Sequence, residues 1–296
     1  MKKPWGGSPF TFSSRLSGSL SIAAAVLMLS VNANAQDVIV EEATEISRER
    51  LELMISRMQS ATFSSTVPGF PEKLEPEPLF RYDDPTRGYV DGTVWKLGQQ
   101  GRPLALLTLE LHPMYLGTGP RFVHEFLAIT NAEFDCRLGS LAWSPQKSAV
   151  EMKVLRDGPI ASPSETIRLA QMKRMADRFE ARQIIQEITE QRIELRMLPT
   201  PIDRYSPLPR DRADGAVFLF VNGRNPGLAL LIETDGSDWK YGIGRLSLPS
   251  RLVVTLDRKT VASWERSDGT GGQAFYAANV PGIVPGYEAD SLPEAP

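Results

Sequence analysis

The chain is 296 residues long, with 33 basic against 36 acidic side chains and a 42% apolar share. That balance excludes an electrostatic pull toward nucleic acid or anionic lipid, and the apolar share suits an ordinary buried core. A lone cysteine, Cys136, excludes an internal disulfide framework and reads as a small buried hydrophobe.

Residues 1–35 read as an export signal. Lys2, Lys3 and Arg15 accompany an apolar run from Leu20 to Val31, and Ala33-Asn34-Ala35 offers the small-x-small pattern of a cleavage site. The run is shorter than the roughly 20 residues that a spanning helix needs. The mature chain is therefore expected to start at Gln36 and to keep no stable membrane span; retention of the segment as an anchor is the alternative. No cysteine follows the run, which argues against a lipid-modified N-terminus. Without Lys2, Lys3 and Arg15, 30 basic groups face 36 acidic ones. The expected destination is the periplasm or the exterior.

Residues 41–60 read as a helix, with Ile46, Leu51, Met54, Ile55 and Met58 on one side. The stretch 63–75 has no firm pattern. Val94–Leu97 and Leu104–Leu111 then flank a Gly98–Gly101 loop as a hairpin, followed by a strand over Phe122–Thr130. Residues 163–177 read as a second helix, with Ser162 as cap, Pro163 at the first helical position and Glu165 closing a capping box. Its apolar stripe is Leu169, Met172, Met175, Ala176 and Phe179. Within 180–197, itself without firm assignment, Ile193, Leu195 and Met197 alternate with charged residues and argue for a strand. A second hairpin, Ala216–Val221 with Leu228–Ile232, turns at Asn222-Gly223, and Trp239–Leu246 follows it. Residues 251–264 add one or two strands, and the Gly- and Pro-rich 267–296 read as a loose tail. The hairpin strands are near-continuous apolar runs, which suits strands covered on both faces.

Two stretches of the chain match each other at a fixed offset of 123 positions. Pro76, Pro78, Arg81, Tyr82, Arg87, Asp91, Gly92, Val94, Pro103, Leu107 and Glu110 recur without a gap as Pro199, Pro201, Arg204, Tyr205, Arg210, Asp214, Gly215, Val217, Pro226, Leu230 and Glu233. A long self-match at constant offset signals a repeated structural unit. The expected fold is α+β: two repeated units, each a helix packed on a curled antiparallel sheet. The expected boundaries are 1–35 for the signal, 36–150 and 151–266 for the units, and 267–296 for a flexible tail.

The candidate site residues are Arg81, Tyr82, Arg204, Tyr205, His124 and Glu125. Two Arg-Tyr steps, each nine residues before an Asp-Gly, can bind a polar or anionic ligand between the units, or can serve the fold by pairing Arg with the repeated acids. Asp91-Gly92 and Asp214-Gly215 read as turn residues entering a strand. His112 and His124 are the two histidines. With Glu110 and Glu125 near them a metal site can be imagined, but on a strand His124 and Glu125 would point to opposite faces, and no cofactor or metal is expected. No nucleophile elbow, phosphate loop or dinucleotide fingerprint is present.

Leu195-Arg-Met-Leu-Pro-Thr-Pro-Ile-Asp-Arg-Tyr205, Asp214-Gly-Ala-Val-Phe-Leu-Phe220 and Val123-His-Glu-Phe126 resemble a family of exported proteins of unknown function common in planctomycete bacteria. The resemblance covers most of residues 79–265 and implies export, with no activity, ligand or catalytic residue attached. Leu79-Phe-Arg-Tyr82 and Asp91-Gly-Thr-Val-Trp95 are similar, more locally, to a passage of the periplasmic lipoprotein carriers, which implies a sheet curled around helices and an apolar ligand. Three functions follow as expectations. The first is a non-catalytic exported binding or scaffold protein, its partner an unknown ligand or envelope protein. The second is a carrier of a lipid or other apolar ligand between sheet and helix. The third is an enzyme using His124 as acid or base.

Overall fold

The structure, a computed structural model, describes residues 43–84, 88–186, 191–206, 213–247, 250–266 and 274–287. The chain divides into two compact units, Met1–Arg48 and Glu49–Pro296. Of the first, residues 43–48 are described; they are helical and carry an Arg48–Glu45 ion pair. Everything below concerns the second. Among the described residues, no helix is long and apolar enough to cross a membrane.

The α+β expectation is overturned. The described residues hold seventeen strands and two helices, so the molecule is mostly β, with curled antiparallel sheets instead of two repeated helix-on-sheet units. The reason lies in stretches whose sequence pattern is weak. Residues 179–186 and 191–197, largely unassigned from sequence, form a hairpin that enlarges one sheet to nine strands.

Within this unit, helix α1 runs over 49–59. Strands β1 (Thr62–Ser64), β6 (Asp135–Leu138) and β7 (Leu141–Trp143) form a small sheet. A five-stranded sheet has the order β17-β5-β4-β3-β2, from Phe275–Pro281, Arg121–Ala128, Ala105–His112, Tyr89–Leu97 and Phe80–Asp84. In the nine-stranded sheet, β16 (Lys259–Trp264), β15 (Arg251–Leu256), β9 (Phe179–Gln186), β10 (Gln191–Met197), β12 (Asp214–Asn222), β13 (Asn225–Thr234), β14 (Trp239–Arg245) and β8 (Lys153–Val154) follow in that order. The ninth strand, β11 (Asp203–Tyr205), also pairs with β12.

The tail reading also meets a difference: Phe275–Pro281 pairs as β17 with Arg121–Leu127 of β5. Its Phe-Tyr-Ala-Ala-Asn-Val sequence carries one branched aliphatic residue, Val280, and so little strand signal. Helix α2 starts at Glu165 and ends at Ala176. Its N-cap is Ser164, extended at φ −81° and ψ 124°, with no side-chain capping bond, so the expected capping box does not form. Ser162 Oγ instead accepts from the Ser164 N–H at 3.2 Å. Phe179, placed on the helix stripe from sequence, already belongs to β9.

Three apolar clusters organise the layers. In the first, Met54 and Met58 of α1 pack with Trp95, Leu107, Leu109 and Phe126 of the five-stranded sheet. Full burial of each methionine is worth about 1.5–3 kcal/mol. In the second, Met172, Met175 and Ala176 of α2 lie among Phe218, Leu230, Phe179, Tyr241 and Val254, which the curled nine-stranded sheet turns inward. The third holds residues from both large sheets: Val94, Leu106 and Leu127 share it with Val217, Leu219 and Leu231. Strands β4 and β13 are buried at every position. The apolar runs within them, Ala105–Leu107 and Leu228–Ile232, are what strands covered on both faces require.

Candidate functional site

Each Arg-Tyr step lies on a short strand laid against an Asp-Gly strand. Arg81 pairs with Thr93 and Tyr82 with Gly92, while Arg204 pairs with Ala216 and Tyr205 with Gly215. One strand further on, Gly92 faces Glu110 and Gly215 faces Glu233. Asp214-Gly215 opens β12, as the sequence suggests, whereas Asp91-Gly92 stands inside β3. The glycines are there for space. A Cβ on Gly92 would lie 2.7 Å from the Tyr82 ring, and one on Gly215 would lie 2.5 Å from the Tyr205 ring. Each tyrosine crosses its glycine and reaches the glutamate beyond it.

That reach fixes the hydrogen bonds. The Tyr82 hydroxyl donates to Glu110 Oε1 at 3.2 Å, and the Tyr205 hydroxyl donates to Glu233 Oε2 at 3.0 Å. Burial, followed by the adjacent carboxylate, pushes both phenols well above their ordinary value. They are donors, not bases.

The arginines are tied as firmly. Arg81 Nε donates to Asp91 Oδ1 at 2.9 Å, and its Nη2 bonds the second oxygen. Arg204 grips Asp214 through Nε at 3.0 Å and Nη2 at 2.6 Å. Asp214 also accepts from Arg168 Nε of α2 at 2.8 Å, a second cation that Asp91 lacks among the described contacts. The hydrogen bond to Asp91 raises the Arg81 pKa, and that to Asp214 raises Arg204 likewise.

The two glutamates differ in their remaining partner. Glu233 receives Arg102, from the loop between β3 and β4, with Nε at 3.0 Å and Nη2 on the other oxygen. Glu110 instead meets His112 Nε2 at 3.0 Å. Tyr115 stands edge-on to His112 with ring centroids 5.2 Å apart, and Tyr89 lies at 5.3 Å. Burial and the charges of Glu125 and Glu110 raise the Tyr115 pKa. Tyr82, Glu110, His112, Tyr115 and Glu125 thus form one polar group at the end of the five-stranded sheet. Sequence reading missed His112 in it. The available signal was its two-residue spacing from Glu110 on a strand, which puts both on one face.

His124 and Glu125 are not brought together. His124 lies on the α1 side, fully buried, its Nε2 accepting from Arg57 Nε at 3.0 Å. Burial first, then the Arg57 charge, lower its pKa to about 3. Arg57 also lies over the Phe122 ring at 4.9 Å. Glu125 faces the other side, where its charge acts on Tyr82, Tyr115 and Arg245.

Two surface concavities lie near the sheet margins. One, of about 210 Å³, is lined by Glu151, Lys153, Tyr241, Ile243 and Val261–Trp264. The other, of about 420 Å³, runs along Arg102, Ile129–Asn131 and Ser148–Met152.

No protein-family model, characterised protein or solved structure matches the chain.

Proposed function

We propose that the chain is an exported binding or scaffold protein without catalysis. The observation that carries this reading is the use made of its reactive-looking side chains. Arg81, Arg204, Tyr82 and Tyr205 spend their polar atoms on Asp91, Asp214, Glu110 and Glu233. His124 is enclosed and held neutral beside a guanidinium, a poor setting for a proton shuttle near neutral pH. The matching registers of β2-β3-β4 and β11-β12-β13, at one constant offset, support descent of both blocks from a duplicated strand module. The space a carrier would need between sheet and helix is taken by Met172, Met175, Phe218 and Leu230, which weighs against the lipid-carrier reading.

The proposed export rests on the leader pattern, which lies outside the described residues, and on the resemblance to exported planctomycete proteins. The test is recovery of the native protein from its host's envelope after crosslinking. Expected are a chain beginning at Gln36, a covalent adduct with another protein, and an organic extract free of stoichiometric lipid. Stoichiometric lipid in the extract, or a cytoplasmic chain that keeps Met1, would overturn the reading.

A further inference from the structure

The nine-stranded sheet curls so far that its two ends meet across a groove. β16 and β8 are the terminal strands of the hydrogen-bonded order. Yet Val261, Ala262, Ser263 and Trp264 of β16 line the same 210 Å³ concavity as Ala149, Glu151 and Lys153 of the segment that runs into β8. Tyr241 and Ile243 of β14 form its floor. Ring contact of Phe179 on β9 with Tyr241 on β14, at 5.1 Å between centroids, shows how tightly the sheet bends around its interior. The result is a barrel left open along one seam.

One wall of the seam is the margin of β16; the other ends in the margin of the two-residue β8, after Ala149, whose N–H already donates to the Ala128 carbonyl. Among the described residues, β16 pairs with β15 on one side, and β8 pairs with β14 on one side; the opposite margins carry no strand. A strand margin presents alternating N–H and C=O groups, a row of partial charges that another extended backbone complements. Glu151 and Lys153 rim the groove with side chains 79% and 44% exposed, so its mouth is open. Val261, Trp264, Tyr241 and Ile243 offer apolar contact below.

From this juxtaposition we propose that the seam receives an extended peptide segment of a partner protein, which adds a strand between β8 and β16 and closes the barrel. Main-chain hydrogen bonds supply the affinity. Alternate side chains pointing down onto Tyr241 and Ile243 supply the preference, so the favoured segment alternates apolar with polar residues. The inference deepens the binding reading given above by naming its ligand class.

The test uses the mature chain and a pool of capped peptides of about six residues, the common strand length, alternating Val or Ile with Thr or Ser. A second pool carries N-methyl groups at alternate positions, which remove donors along one margin while keeping the side chains. Hydrogen exchange is followed at amides 151–154 and 259–264. Expected is a slowing of about tenfold or more at both segments with the first pool and none with the second. Ser263 is exposed, so Ser263→Arg should fold normally, push a long side chain into the groove and abolish the slowing.

Equal effects of the two pools, slowing confined to other strands, or no slowing with either pool would overturn the proposal. So would slowing that persists in Ser263→Arg. If peptides fail here while crosslinking still yields a protein adduct, the seam is wrong and the scaffold reading stands.

Discussion

The two aspartates of the Arg-Tyr motifs should not be equivalent, and the difference can be measured. Asp214 is 5% exposed and serves two guanidinia, Arg168 and Arg204, whose side chains are 6% and 33% exposed. Asp91 is equally buried but serves Arg81, which is 33% exposed. Replacing either aspartate by asparagine keeps the shape and removes the charge. In Asp91→Asn the orphaned cation is a third exposed and water screens it, so the loss should be about 1–2 kcal/mol. In Asp214→Asn the buried Arg168 keeps the Ser162 and Pro163 carbonyls on Nη1 but loses its counter-charge away from water, and breaking a buried pair costs about 3–5 kcal/mol. For a chain of this size each kcal/mol moves Tm by about 2–4 °C. Asp91→Asn should therefore lower Tm by a few degrees, and Asp214→Asn by about 10 °C or more. Differential scanning calorimetry of the two variants, with urea titration as a check, reads the gap. Adding Arg168→Met to Asp214→Asn should return part of the loss, because the stranded charge is then gone. Equal losses from the two aspartates, or no recovery in the double variant, would refute this account of the buried network.

Gly92→Ala and Gly215→Ala should each cost about 1–3 kcal/mol, since the new methyl meets a tyrosine ring at under 3 Å; an unchanged urea midpoint would remove the packing argument. The His124 imidazole, with a folded pKa of about 3 against an ordinary 6.5, should show no NMR titration between pH 8 and 4.5. Because the unfolded state gains a proton that the folded state refuses, stability should fall as pH drops below about 6.5 and level off near pH 3; a titration midpoint near 6 would contradict this. Cys136 is buried and its thiol is pushed up to about 12, so it should resist a disulfide reagent at pH 8 until urea unfolds the chain. Stoichiometric labelling of the folded protein would count against that burial.

Much of the strand framework was legible because its signals are local. The hairpin runs 94–111 and 216–232 and both helices fall close to where apolar spacing places them. Fold class was not legible. Two helices with clear periodicity drew more weight than strands such as β9 and β17, whose Gln- or Ala-rich sequences carry little pattern. Whether a segment becomes a strand depends there on the neighbour it joins, which single-sequence patterns do not encode. The Arg-Tyr residues were visible as a repeated motif, but their partners lie ten and twenty-eight positions away. Asp91-Gly92, inside β3, was misread for a related reason. The pair is a common turn former, and the tyrosine ring that requires the glycine comes from another strand. The groove between β16 and β8 joins residues more than a hundred positions apart, and no motif could announce it.

The tyrosine laid across its glycine has one more consequence. In a strand such as β13, buried throughout, sliding by one residue along Leu228–Ile232 exchanges one aliphatic side chain for another and loses little apolar contact. Alternation, the usual guard against misalignment, is missing there. A slide would instead drive the phenol ring into Thr93 or Asp91 in one block and into Ala216 or Asp214 in the other, and would strand its hydroxyl away from the glutamate. One aromatic ring per block thus acts as a pin that tells the strands where to stop.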